Sequence, residues 1–110
     1  MRVVDLTGPR GIRLRAVAPE SRLERVRGLL GRDHLDRTEA LLLPRTRSIH
    51  TVGMRIPIRV AMVDSELVVI ATRVVGPTRV VLPRRSVRHI IECAAEIDVR
   101  VGDRFEASAR

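Results

Sequence analysis

The chain has 110 residues, of which 45% are apolar and a single one, Phe105, is aromatic; 21 basic residues, all Arg, give it a formal charge of +8. A chain of this length suits one domain and is too short for two ordinary domains. The many β-branched aliphatic residues favour strands. No apolar run is long enough to cross a bilayer, the N-terminus does not read as a secretory signal, and Cys93 has no second cysteine with which to form an intramolecular disulfide. We therefore expect a soluble, cytoplasmic protein that does not insert into membranes.

Two short strands are predicted at the start of the chain. The first, VVDL, ends in the turn signal TGPRG. The second, IRLRAVA, alternates apolar residues with Arg, which is the period-two pattern of a strand with one solvent-facing side. Pro19 is expected to end it.

The segment SRLERVRGLLG, residues 21–31, is predicted to form a helix. Ser21 is a suitable N-cap, and Glu24 three residues later completes a capping-box pattern. An apolar stripe follows at helical spacing, and Gly31 is a typical stop. Gly28 lies in the last turn, where its small size would let another backbone approach closely.

The rest of the chain is predicted to be strands separated by short turns. The candidates are, in order, ALLL, SIHTVGM, IPIRVAMVD, LVVIATRVV, RVVL, SVRHIIECAAE and VGDRFEA. LVVIATRVV is apolar on both faces at its start, so it is expected to be a central strand. When about seven of all these segments are counted as strands, the predicted fold is mainly β with one short helix, a compact antiparallel β sandwich or barrel-like single domain over residues 1–110.

Three stretches resemble the family known as domain of unknown function 192: RVRGLLGRDHL, SIHTVGMRIPIRVAMVD and HIIECAAEIDVRVGDRF. The resemblance covers residues 22–105 approximately and implies a small β-rich protein from a family with no settled activity. The positions that match the family pattern are Arg27, Gly28, Leu29, His50, Thr51, Met54, Pro57, Ile58, Asp64, Glu92, Gly102 and Asp103.

The chain also departs from that family pattern. Arg59 stands where the family usually has Asp, Leu30 replaces a Met, and Glu96 lies where a Gly is expected. If the Asp belonged to a functional site, this protein has inverted its charge there. An activity inherited from the family would then be in doubt.

The candidate site gathers the residues of these motifs that carry polar or adaptable side chains. They are Arg27, Gly28, His50, Met54, Arg55 and Glu92. Glu92 lies on an apolar strand, and a buried carboxylate needs a cationic partner such as Arg27 or Arg55. That pair would either line a cleft for a small anionic ligand or tie the helix end to the sheet, and the structural alternative is favoured. His50 has three interpretations: a proton carrier, a metal ligand, or a half-buried ring that hydrogen-bonds to the backbone. The last is the simplest.

The principal hypothesis is a binding or accessory module for a small anionic ligand or a protein partner. The first alternative is non-specific nucleic-acid binding through the Arg-rich surface, which the interleaved acidic residues and the missing base-stacking aromatics disfavour. The second is an enzyme that uses His50 and Glu92 as an acid–base pair. No metal-ligand spacing, phosphate-binding loop or nucleophile elbow is present, so we expect no metal and no cofactor, and Cys93 reads as a buried inert thiol.

Overall fold

The computed structural model of the protein describes residues 2–19 and 32–109. Nine strands lie in this part of the chain: β1 (Arg2–Thr7), β2 (Arg13–Ala18), β3 (Glu39–Leu43), β4 (Ile49–His50), β5 (Ile58–Val63), β6 (Val69–Val75), β7 (Val80–Val81), β8 (His89–Ala94) and β9 (Glu106–Ala109). A 3-10 turn, Pro9–Gly11, joins β1 to β2. The helix predicted over residues 21–31, with Arg27 and Gly28, lies outside the described residues.

Seven of the strands form one sheet in the order β6-β5-β8-β3-β2-β1-β9, and β4 pairs with β7 in a separate two-stranded ribbon. The predicted mainly β class is confirmed. The sheet is mixed, because β2 and β3 are parallel whereas the other neighbouring strands are antiparallel. It does not form a closed barrel. A parallel pair needs a crossover connection of a dozen or more residues, and the chain between Ala18 and Glu39 is long enough to provide one.

The side-chain alternation explains how the sheet is buried. On β2, Leu14 and Ala16 are buried while Arg13 and Arg15 are exposed, as the period-two pattern predicts. The central strands β3, β5 and β8 are instead buried on both faces along most of their length. The middle of the sheet is therefore covered on both sides, and a polar side chain there is removed from solvent.

The segment 67–75 was expected to be a central strand, and this expectation is wrong: β6 is an edge strand of the large sheet. Its first residues nevertheless have neighbours on both sides. Val68 forms a bridge with Arg104, and the Val69 N–H donates to the Asp103 carbonyl at 2.8 Å. Residues 102–105 thus cover the start of β6, which accounts for its apolar character, whereas Arg73 and Val74 further along are exposed.

Asp103 ties this closing segment to the turn between β1 and β2. Its carboxylate accepts two hydrogen bonds from the Arg10 guanidinium, with Nη1–Oδ1 at 3.1 Å and Nη2–Oδ2 at 2.5 Å. It also accepts the Arg100 backbone N–H at 2.8 Å. These bonds, the Arg10 hydrogen bonds first, hold the pKa of the Asp103 carboxyl below its ordinary value. Arg10 itself adopts a left-handed backbone conformation, with φ of 59°, which the two-point contact helps to hold.

Phe105 packs against the same turn. The ring is 2% exposed, and Gly8 faces it so closely that a Cβ built on Gly8 would lie 2.8 Å from the ring atom Cε1. The backbone N–H of Phe105 donates to the Leu67 carbonyl at 3.0 Å. One buried ring therefore contacts the β1–β2 turn while its backbone is bonded to the segment that precedes β6.

We expect Gly8→Ala to destabilise the protein by about 1–3 kcal/mol, because the new methyl group overpacks the site against a buried ring that has little room to move. Urea unfolding at neutral pH measures the change. Gly76→Ala is the matched control, since a Cβ there meets no atom within 4 Å and the backbone has no positive φ. Equal stabilities of the two variants would contradict the close approach of Gly8 and Phe105.

We expect the stability difference between the parent and Asp103→Asn to depend on pH. The folded pKa of Asp103 is lowered from its ordinary value of 3.8, so the carboxylate stabilises the fold above that value and this stabilisation is lost as the pH falls through the folded pKa. The variant should be the less stable protein near pH 7, and the gap should close in acid. Asp98→Asn, which alters an exposed carboxylate of the same cluster, should give a smaller gap. A gap that stays constant with pH would contradict the role of Asp103.

Candidate functional site

The described candidate residues differ sharply in exposure. His50, on β4, and Arg55 are exposed, Met54 is partly buried against the core, and Glu92 in the middle of β8 is 7% exposed. Arg55 forms an ion pair with Asp33, with Nε–Oδ1 at 3.1 Å, in which both side chains are mostly exposed. Because such a pair is well solvated, it leaves the guanidinium accessible.

Thr51 organises the segment that contains three of these residues. The side chain is buried, and its hydroxyl donates to the Gly76 carbonyl at 2.7 Å while accepting the Arg79 backbone N–H at 2.8 Å. The Thr51 N–H donates to the Arg79 carbonyl at 2.8 Å, and its own carbonyl accepts the Met54 N–H at 3.0 Å. His50, Met54 and Arg55 therefore flank a turn that is fixed to the segment 76–79.

Glu92 occupies a different environment. It pairs in register with Leu41 of β3 and Val60 of β5, in the most buried part of the sheet. Within residues 2–19 and 32–109, no hydrogen bond reaches the ring of His50, so His50 and Glu92 form no direct acid–base pair. The two side chains therefore lie in different environments, since the His50 ring is exposed and the Glu92 carboxylate is buried.

The main feature that sequence reasoning missed is a local concentration of positive charge. No Asp or Glu occurs between Glu39 and Asp64, and none occurs between Glu66 and Glu92. Parts of these two acid-free stretches lie side by side, because Ile49 and His50 of β4 pair with Val81 and Val80 of β7. We call the resulting region the basic ribbon surface; it consists of His50 and seven exposed arginines, Arg45, Arg47, Arg55, Arg79, Arg84, Arg85 and Arg88.

Backbone contacts beyond the two strands extend this pairing. The Thr46 N–H donates to the Arg88 carbonyl at 2.9 Å, and Arg47 Nη2 donates to the Arg84 carbonyl at 3.3 Å. The fold therefore brings Arg47 next to Arg84 and Arg88, which are distant from it in the sequence. The spacing of acidic residues along the chain was the signal that could have revealed them.

His89 lies where the basic ribbon surface meets the large sheet. Its Nδ1 accepts the Arg45 backbone N–H at 3.0 Å, so that atom carries no proton. Burial, followed by the nearby charges of Arg45 and Arg88, lowers the pKa of the ring below its ordinary value. A neutral histidine at this position is consistent with a surface whose positive charge comes from arginine.

Two other residues that resemble the family pattern organise turns. Asp64 follows β5, and its Oδ1 accepts the backbone N–H groups of Glu66 at 2.8 Å and Val68 at 3.0 Å, which shapes the turn into β6. Asp103 anchors the closing segment, as described above. Both acids have structural roles that the hydrogen bonds explain.

Metal, thiol and membrane chemistry find little support in the described part of the chain. No cluster of three or more His, Cys, Asp or Glu side chains in residues 2–19 and 32–109 could hold a metal ion. Burial raises the pKa of the Cys93 thiol to about 12, so the thiolate is not formed near neutral pH. Among the same residues, no helix has the length and apolar character needed to cross a membrane.

The comparison with family models decides the relationship that the motifs suggest. The model of the DUF192 family, described as "Uncharacterized ACR", matches residues 6–107. The chain belongs to the DUF192 family. No curated protein matches the chain.

Two solved structures are similar to this DUF192 protein. A protein from Sinorhizobium meliloti, described as a "putative transcription regulator", has a TM-score of 0.77 at 19% identity, with 96% of this chain and 92% of that chain covered. A protein of unknown function from Novosphingobium aromaticivorans has a TM-score of 0.75 at 20% identity, with 94% and 83% covered. At these identities the similarity establishes a shared fold.

Arg59 is the residue for which the resemblance to the family led us to expect an Asp. It lies on β5 opposite Cys93 of β8, and its Nη1 donates to the Thr72 hydroxyl at 3.0 Å. Its Nε is buried and has no hydrogen-bond acceptor, and no carboxylate of the described residues lies within ion-pair distance. Arg59 therefore places on the sheet a partly buried cation that forms no ion pair with a carboxylate of the described residues.

We expect Arg59→Met to leave the stability unchanged or to raise it by about 1–2 kcal/mol, because the change removes an unsatisfied buried donor and keeps the aliphatic stem. Urea unfolding measures the effect. Arg73→Met, at an exposed position of β6, is the control and should change stability by less than about 0.5 kcal/mol. A loss of more than about 2 kcal/mol for Arg59→Met would instead mean that Arg59 supports the fold.

Proposed function

We propose that the protein is a binding module for an anionic partner and that the basic ribbon surface is its contact region. One observation carries the proposal: the pairing of β4 with β7 joins two segments that contain arginines and no acids. A patch of one sign concentrates oppositely charged partners and raises their association rate. The same net charge spread evenly over the molecule would have no such effect.

The chemistry of arginine suits this role. The guanidinium is charged at any physiological pH, and its planar fork binds carboxylates and phosphates through two parallel hydrogen bonds. Arg84 and Arg85 are adjacent and exposed, and neither side chain makes an ion pair within the described residues. They are therefore available for a partner.

The six candidate residues chosen from the sequence have different parts in this proposal. His50 and Arg55 belong to the contact region, and Met54 supports their turn from its partly buried position. Glu92 is assigned a structural part because a ligand at the surface cannot reach a side chain that is 7% exposed. Arg27 and Gly28, outside the described residues, stay in the proposal as contributors to binding a small anionic ligand.

Nucleic acid is the second candidate partner. The concentrated arginines favour it, and the description of the Sinorhizobium meliloti protein as a "putative transcription regulator" points in the same direction. However, the described residues present no exposed aromatic ring for base stacking, since Phe105 is buried. Binding would then depend on phosphate contacts alone and would weaken steeply with salt.

A charge-reversal pair tests the proposal. Arg84→Glu combined with Arg85→Glu should weaken binding of a fluorescein-labelled oligoglutamate by about tenfold or more, because attraction is replaced by repulsion at the contact. Arg13→Glu combined with Arg15→Glu makes the same change of net charge on exposed positions of β2 and should alter affinity much less. Fluorescence anisotropy at several salt concentrations measures both variants.

Equal losses in the two double variants would contradict the proposal, since net charge alone would then explain the binding. A labelled oligothymidylate in the same assay separates the two partners. If it binds more tightly than oligoglutamate, and log K falls with log salt at about 0.7 per phosphate contacted, nucleic acid is the preferred partner.

A further inference from the structure

The outer face of the β4–β7 ribbon carries exposed aliphatic side chains among the arginines. Val80 is 64% exposed, Leu82 is 73% exposed and Val52 is 56% exposed. They account for three of the five large hydrophobic residues that are exposed in residues 2–19 and 32–109. Single exposed aliphatic residues are ordinary, whereas a group of them on one ribbon indicates a contact surface.

Strand alternation places His50, Val80 and Leu82 on one face. Val80 lies directly opposite His50 in the register, and Leu82 follows two residues later, with the buried Val81 between them. Val52 is exposed in the turn that directly follows the buried Thr51, at the end of β4. We call the group His50, Val52, Val80 and Leu82 the outer ribbon face.

The composition of this face discriminates among anionic partners. A small anion cannot cover three aliphatic side chains, and the phosphate backbone of a nucleic acid has no apolar group to place on them. A protein segment with both carboxylates and aliphatic side chains complements the rim and the centre together, in the usual arrangement of an interface with an apolar core and a polar rim. A second copy of this chain would bring like-charged arginines face to face, which opposes self-association.

We propose that the outer ribbon face docks an acidic, amphipathic segment of a partner protein. Aliphatic side chains of the segment would pack on Val80 and Leu82, and its carboxylates would bind the neighbouring arginines of the basic ribbon surface. This inference rests on the proposed function and names its partner class.

The inner side of the ribbon makes the inference testable. Thr51 and Val81 are 1% and 3% exposed, and the Thr51 hydroxyl and backbone hold the ribbon to the segment 76–79. Substitutions at exposed positions opposite this buried side should leave the fold intact. Urea unfolding of each variant checks this before binding is measured.

Two peptides of equal length and charge serve as probes, one alternating Glu with Leu and one alternating Glu with Ser. The parent should bind the Glu-Leu peptide about tenfold more tightly, as expected for a few buried aliphatic contacts. Val80→Ser combined with Leu82→Ser should remove this preference while retaining the affinity for the Glu-Ser peptide. Val74→Ser combined with Val101→Ser, at exposed valines that do not belong to the outer ribbon face, is the matched control and should keep the preference.

Each other outcome overturns the inference in a recognisable way. If Val80→Ser with Leu82→Ser leaves the preference intact, while Arg84→Glu with Arg85→Glu weakens both peptides, the docking surface is wrong and the proposed function stands. If neither double variant weakens either peptide, the proposed function fails as well. If the serine variant instead loses binding to phosphatidylserine vesicles or to oligothymidylate while its peptide affinities are unchanged, the occupant is a membrane surface or a nucleic acid. If the parent sediments as a dimer and the serine variant as a monomer, the occupant is a second copy.

Discussion

The architecture depends on the contact between the two edges of the large sheet. Residues 102–105 reach the start of β6 through the Val68–Arg104 bridge, while Phe105 and Asp103 hold the same segment against the turn between β1 and β2. An open seven-stranded sheet would expose the backbone groups of both edge strands to other chains. This contact pairs part of the β6 edge and links it to the segment that leads into β9, the strand at the other edge.

The candidate site depends on a second, smaller constraint, the buried hydroxyl of Thr51. By bonding to backbone groups of Gly76 and Arg79, it fixes the turn that follows β4 to the segment that leads into β7. A buried hydroxyl without these partners would be costly, so the two segments are held in one arrangement. The basic ribbon surface and the outer ribbon face both depend on that arrangement, because their residues come from two segments that are far apart in the sequence.

Much of the fold could be predicted from the sequence, and the failures have physical causes. Period-two alternation predicted β2 correctly, because Arg13 and Arg15 face solvent. The same reasoning wrongly placed residues 67–75 in the centre of the sheet. Apolar residues on both faces show that a segment is covered, but they do not show whether a full strand or only a short closing segment lies on its second side. For the proposed site, the sequence led to the choice of the motif residues around His50 but did not predict their strand partner, since a two-residue pairing leaves no periodic signal. Glu92 was expected to be at least partly buried on an apolar strand, and it is buried there. This burial separates its carboxylate from the proposed contact surface.

The number of arginines and their positions in the fold lead to different conclusions about the role of the positive charge. The total of +8 is compatible with a solvated surface, and the acids interleaved with Arg in the first 39 residues and after Glu92 fit that interpretation. Between Glu39 and Glu92 the acids occur only in the turn formed by Asp64 and Glu66. Of the seven arginines of the basic ribbon surface, only Arg55, which pairs with Asp33, forms an ion pair within the described residues. Solubility would be served equally well by charges anywhere, and it would disfavour Val80 and Leu82 in exposed positions beside them. A solvated surface does not account for arginines and exposed aliphatic side chains that occur together on one ribbon, whereas the proposed docking surface does.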